Sequence, residues 1–248
     1  MEMRIIHFYP DLMNLYGSRA NVLALERYLK GLGCAVTVEA VAPGGEADLG
    51  RGDFFYMGAG TERAARAAME DFARFGSGLK AAAQDGATML FAGTAMELLG
   101  KTVTEADGSA YDGVGLASFT AKHGKRRIVE DVYGRTSLYP EAVVGFINKC
   151  GVVSGVETPL LSEVDLGFGN ERERGPEGFH WKNVFASQLT GPLLVKNPKL
   201  LETVAAAIYA RRGETLPVER PEDPWAEKAY TVTEEQLRLR AQGSHAFV

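Results

Sequence analysis

Six side chains bound the thiol and imidazole chemistry open to this chain: Cys34 and Cys150, and His7, His123, His180 and His245. Two thiols are too few for a disulfide framework in a chain of this length. No Cys/His spacing matches a zinc site, so neither a metal nor a cofactor is expected. A thiol activated by a neighbouring imidazole would give nucleophilic catalysis. Cys150 with His180, in GFHWKN, is the pair that could supply it, although their spacing does not by itself bring them together. The plainer readings are structural. His7 lies inside an apolar run and is expected to be packed, His123 falls in a basic loop, His245 in the tail, and both cysteines read as small buried or loop residues.

Two glycine-containing turns offer backbone chemistry instead. Gly58-Ala59-Gly60 follows an apolar run. It reads either as a tight strand-to-helix connection or as N–H groups open to a developing oxyanion, which a Cβ would block. Gly93-Thr94-Ala95 sits at a second strand-to-helix turn, the place where many hydrolases hold an exposed nucleophile. Its apex is glycine, which has no side chain to react. Thr94 could stand in only with an adjacent base, and its simpler role is a helix N-cap.

The elements that must position these turns alternate between strand and helix patterns. Strands are predicted at Arg4–Tyr9, Ala35–Val41, Asp53–Met57 and Ala87–Ala92. Helices are predicted at Ala20–Lys30 and Glu62–Phe75, with helical MELLG after Gly93-Thr94-Ala95. That alternation argues for an α/β fold with a parallel sheet and helices on both faces. From about Tyr111 to Leu166 the runs are short and broken by Gly, Ser and charge, as expected of an antiparallel extension. Asn183–Leu189 resumes a strand and Pro198–Arg212 a helix. Pro217, Pro221 and Pro224 then mark an extended arm, in which Thr233–Gln236 has capping-box spacing for a short final helix. The expected division is residues 1–212 as one domain and 213–248 as the arm.

Composition excludes some functions. The chain has 248 residues, 46% hydrophobic and 24% charged, with a net charge of −5. The one basic cluster, Lys122, Lys125, Arg126 and Arg127, is too small for a nucleic-acid interface. No apolar run approaches the roughly 18 residues of a bilayer span, and no signal-peptide pattern opens the sequence. The expected compartment is the cytoplasm. No P-loop motif is present.

Five segments together resemble one family: PDLMNLYGSRANVLAL, DFFYMGAGTER, MLFAGTAMELLG, VVGFINKCG and HWKNVFASQLTGPLLVKNP. They look like the CobB/CobQ-type class I glutamine amidotransferases, and within these the GatD-type glutaminase subunits of lipid II isoglutaminyl synthase, in the same order over about residues 3–212. The resemblance implies a flavodoxin-like sheet. It also implies a glutaminase subunit that passes ammonia to a Mur-ligase-like amidoligase partner in a heterodimer, for amidation in peptidoglycan. In that family a Cys in a motif like CGGYQLLG is the nucleophile and a His in a motif like YLHGPLL is its base. Aligning LLG and GPLL places these positions at Gly93 and Thr190, both substituted. The family's oxyanion turn corresponds to Gly58-Ala59-Gly60, and an arginine that contacts glutamine falls at Arg127.

Three functions follow from this pattern. The leading one is a non-hydrolytic amidotransferase-fold subunit or regulator of the amidating complex, with the Pro-rich tail in the partner surface and dispensable for folding. The others are a glutaminase with relocated chemistry at Cys150–His180 or Thr94, and a stand-alone module binding glutamine or another small molecule.

Overall fold

A computed structural model of the chain describes residues 1–243, so His245 lies outside the described residues. In chain order, β1 (Glu2–Phe8) leads to α1 (Ala20–Gly31), then β2 (Ala35–Val41) and β3 (Phe54–Met57). Next come α2 (Glu62–Phe72), α3 (Gly76–Gln84), β4 (Thr88–Ala92) and the single turn α4 (Thr94–Glu97). The extension holds β5 (Thr102–Thr104), β6 (Ala110–Asp112), β7 (Thr120–Arg135), β8 (Val143–Ser154) and β9 (Glu163–Leu166). The chain returns through β10 (Phe179–Trp181) and β11 (Val184–Ser187) to α5 (Leu193–Lys196), α6 (Pro198–Arg211) and α7 (Pro224–Ala241).

The main sheet runs β10-β11-β4-β3-β1-β2, parallel throughout except for the antiparallel edge strand β10. Leaving out that edge, successive strands stand in flavodoxin-like order, with a switch point between β1 and β3. Central strands read as continuous apolar runs because both faces are covered: FFYM of β3 and TMLFA of β4 are buried at every position. Alternate residues of β1 feed different cores. Ile6 and Phe8 join Phe72 and Phe75 on one side, and Ile5 joins Leu25, Val204 and Ile208 on the other. The second sheet runs β6-β5-β7-β8, with β9 paired to β7.

Three expectations change. The helix predicted to Phe75 ends at Phe72, and after a 3-10 turn α3 continues through Gly76 and Gly78. β7 and β8 span 16 and 12 residues rather than short runs, with a register shift in their pairing between His123 and Ile128. The final helix starts at Pro224, capped by the Asp223 carboxylate. Thr233 is therefore mid-helix, its hydroxyl bonded to the Ala229 carbonyl, and not an N-cap. That helix lies against the extension: Leu237 is buried, Tyr230 donates to the Ala142 carbonyl and Tyr133 to the Glu234 carboxylate.

Candidate functional site

The two glycine turns and the loop after β11 all lie at the carboxyl ends of parallel strands, which is where open α/β sheets place ligands. Gly58-Ala59-Gly60 follows β3, Gly93 follows β4, and Thr190 lies three residues beyond β11. Thr190, Ala59, Gly60, Thr94 and Arg127 line one cleft of about 70 Å³ together with Tyr16, Glu62 and Asn148.

Gly93 is the tightest point. Its φ of 63° and ψ of −134° form a backbone pose that side chains rarely adopt. A Cβ built there would lie 2.6 Å from the Ala59 Cβ and 3.5 Å from the Thr190 methyl carbon. The space a reactive side chain would need is thus filled by the Ala59 methyl. Gly58 is required for a different reason, since a Cβ there would meet the Met13 carbonyl at 2.6 Å.

The N–H groups expected to await an oxyanion already have acceptors. Ala59 N–H donates to the Ser18 hydroxyl at 3.1 Å, and Gly60 N–H to the Thr94 hydroxyl at 2.9 Å. Thr94 returns a bond to the Gly60 carbonyl at 3.1 Å. It is therefore the first residue of α4, with Gly93 as the cap, and its side chain latches the two turns together instead of capping the helix. Ser18 belongs to a buried bracket in which Tyr56, Asn21 and the Gly191 carbonyl join the loop after β1 to the loop after β11. Thr190 is turned inward, its N–H and hydroxyl both donating to the Phe146 carbonyl.

On the outer wall, Arg127 donates to the Glu62 carboxylate at 2.6 Å and to Asn148 at 3.1 Å. Cys150 donates to the same carboxylate at 3.3 Å. Burial, with that bond and the Glu62 charge, pushes the thiol up to about 12. It is a protonated hydrogen-bond donor and not a thiolate. His180 is elsewhere, on β10 with its ring 4.9 Å from Phe185, and burial lowers its pKa. No hydrogen bond joins it to Cys150 among the described residues. Cys34 is buried against the Tyr209 hydroxyl at 3.1 Å. His7 is packed as expected, and burial lowers it to about 4.

His123 does not lie in a solvated basic loop. It is buried on β7 between Glu97 (2.7 Å) and Glu105 (2.9 Å). Burial pulls the imidazole down, but the hydrogen bonds and charges of the two carboxylates outweigh this and raise it to about 9. Glu97 also accepts from Gln188, which accepts from the buried Lys149 ammonium at 2.6 Å. Lys149 further donates to the Gly169 and Asn170 carbonyls, and burial lowers it to about 8. Gln188 N–H and the Ser187 hydroxyl donate to the buried Glu177. This network ties α4, β7, β8 and the end of β11 directly behind the cleft. Sequence periodicity gave no sign of it, because polar residues inside strands carry no pattern.

Residues 4–198 match the CobB/CobQ-like glutamine amidotransferase domain, and the chain belongs to that family. Two relatives are GatD subunits of lipid II isoglutaminyl synthase (glutamine-hydrolyzing). The one from Staphylococcus aureus (strain N315) is 28% identical over 212 residues, covering 86% of each chain. The one from Streptococcus pneumoniae (strain ATCC BAA-255 / R6) is 29% identical over 226 residues, covering 90% of this chain and 86% of its own. Among solved structures, a glutamine amidotransferase from Thermotoga maritima aligns over 96% of this chain and 97% of its own, with 12% identity and a TM-score of 0.49. No described helix is long and apolar enough to cross a membrane.

Proposed function

We propose that this chain is a GatD-like subunit that does not hydrolyse glutamine and that supports a Mur-ligase-like amidoligase in the modification of lipid II. The observation that carries this reading is the contact between Gly93 and Ala59. The position matching the family nucleophile has no side chain, and the neighbouring methyl group fills the room one would need. The position matching the family base is Thr190, whose hydroxyl is committed to a backbone carbonyl. Acyl transfer by the family route needs both groups and free oxyanion donors, and the donors at Ala59 and Gly60 are engaged. The names of the relatives support lipid II as the pathway and a partnered subunit as the form. In this reading the partner uses free ammonia, and the chain acts by stabilising or regulating it.

The relocated-nucleophile alternative is weakened by the protonated Cys150 and by a Thr94 whose hydroxyl meets only Gly60. A stand-alone glutamine-binding role meets a cleft of about 70 Å³, well below the roughly 300–1,000 Å³ of ligand pockets. The test is to incubate the full chain with a diazoketone analogue of glutamine and measure its intact mass. No adduct is expected. An adduct mapped to Cys150 or Thr94 would overturn the reading in favour of relocated chemistry.

A further inference from the structure

The helix α7 has two faces of different character. Leu237, Tyr230 and Glu234 hold it to the extension: the leucine is buried, Tyr230 donates to the Ala142 carbonyl, and Glu234 accepts from Tyr133. At roughly 3.6 residues per turn, Trp225, Ala229, Val232, Gln236 and Leu239 fall on the opposite side. Trp225 is 79% exposed and Val232 53%, and no other aromatic side chain among the described residues is as exposed as Trp225. Ala229 and Gln236 are exposed too, and Leu239 is half-buried. The spacing of these five residues alternates four and three, which is the seam by which two helices pack side by side. Two heptads are too few to form a coiled coil unaided. Here the extension already holds the helix, so the seam is preformed and pairing pays no cost of helix nucleation.

The edge of the seam specifies what it fits. Lys228 and Glu235 stand one heptad apart on the same edge, both exposed. Neither forms an ion pair within the chain among the described residues. When a second copy of α7 is laid end for end on the first, with Ala229 against Val232 of the second copy, this edge meets itself. Lys228 then faces Glu235 of the second copy, and two-fold symmetry repeats the pair on the other side. The small Ala229 lets the helices approach, and Trp225 covers the stem of Gln236 of the second copy. A parallel arrangement lacks this match. It would set Lys228 across from Thr233, and Glu235 across from an Arg240 already committed to Glu130 and Asp131.

From this self-complementary edge beside an exposed apolar seam, we infer that the outer face of α7 is a self-association surface on which two copies of the chain pair antiparallel. Trp225 and Val232 supply the apolar contact, and Lys228 with Glu235 sets direction and register more than affinity. The paired stretch, residues 225–236, is about 17 Å long. That is too short to bury the roughly 1,200–2,000 Å² of a standard interface, so the dimer is weak and depends on concentration. No residue of α7 lines the cleft, and pairing leaves the cleft uncovered.

The test is sedimentation velocity of the full chain from about 5 to about 500 μM, a range that brackets a weak interface. The parent is expected to move from the mass of one copy toward that of two. Val232→Glu and, as a second variant, Trp225→Ala are expected to stay at one copy throughout, with thermal melts like the parent's. Lys228→Glu is expected to weaken the dimer about fivefold, and Lys228→Glu/Glu235→Lys to restore it. A parent that remains one copy at the highest concentration would overturn the proposal. So would a dimer that survives both Val232→Glu and Trp225→Ala, or one that the charge swap does not restore. If the parent stays single and Val232→Glu instead weakens association with a Mur-ligase-like subunit, the seam belongs to that protein and the proposal is wrong.

Discussion

At the residue scale, the Ala59 methyl group decides what position 93 can be. Gly93→Cys would bring a Cβ to 2.6 Å from it in a backbone pose suited to glycine. Overpacking costs about 1–3 kcal/mol and forcing a side chain into that pose a similar amount, so the variant is expected to lose at least about 2 kcal/mol in urea unfolding. Adding Ala59→Gly should recover part of this loss. A double-mutant cycle with no coupling between positions 59 and 93 would show that the contact is not what excludes a side chain. Gly93 and Thr190 are proposed as the family positions because LLG and GPLL flank them. The filling of the space between them was not legible, since Ala59 reads in sequence as an ordinary small turn residue. Likewise the pairing of Thr94 with Gly60 joins residues 34 apart, and no local pattern announces it.

At the element scale, the buried network behind the cleft makes the packing of β7 against α4 depend on pH. His123 is raised to about 9 from an ordinary value near 6.5. Its contribution to stability is therefore complete below about pH 6.5 and lost as pH rises to about 9. His7, lowered to about 4, acts with the opposite sign. It contributes nothing above pH 6.5 and costs stability as pH falls from 6.5 toward 4, because only the unfolded chain takes up the proton. Lys149, lowered to about 8, adds stability with rising pH above that value and partly masks the alkaline loss. The clean observable is therefore the difference between parent and His123→Gln in denaturant unfolding, which should be largest at pH 6 and shrink toward pH 9. A difference independent of pH would contradict the charged imidazole. His123 was misplaced from sequence because Lys122, Lys125 and Arg126 surround it with charge. Strand alternation turns Lys122 out and the histidine in, and the register shift between His123 and Ile128 leaves Lys125 and Arg126 exposed.

The C-terminal helix teaches the same lesson at that scale. Three prolines signal an extended arm, yet α7 lays Leu237 and Tyr230 against the extension and closes ion pairs from Arg240 to Glu130 and Asp131. Removing residues 213–248 is expected to lower the melting temperature by several degrees, since burial of Leu237 alone contributes about 1.5–3 kcal/mol. A truncated chain that melts like the parent would restore the view of the arm as independent of folding.

At the scale of the whole molecule, the strand–helix alternation of the first hundred residues made the parallel sheet legible, because strands buried on both faces must be apolar throughout. β2 and β4 fall within one residue of their predicted bounds. The extension was harder: β7 and β8 pair over long stretches with charged residues on their outer faces, which break the apolar runs. Together these elements carry an amidotransferase-family frame whose strand ends converge on the candidate site, where Thr94 bonds the two turns together. The measurement that tests the proposed function most directly is glutamate release from saturating glutamine by the purified chain mixed with the proposed Mur-ligase-like subunit, with ligase activity on ammonium followed in parallel. The account predicts amidation supported by ammonium and no glutamate above the enzyme-free rate. Sustained glutamate release from the parent complex would contradict it.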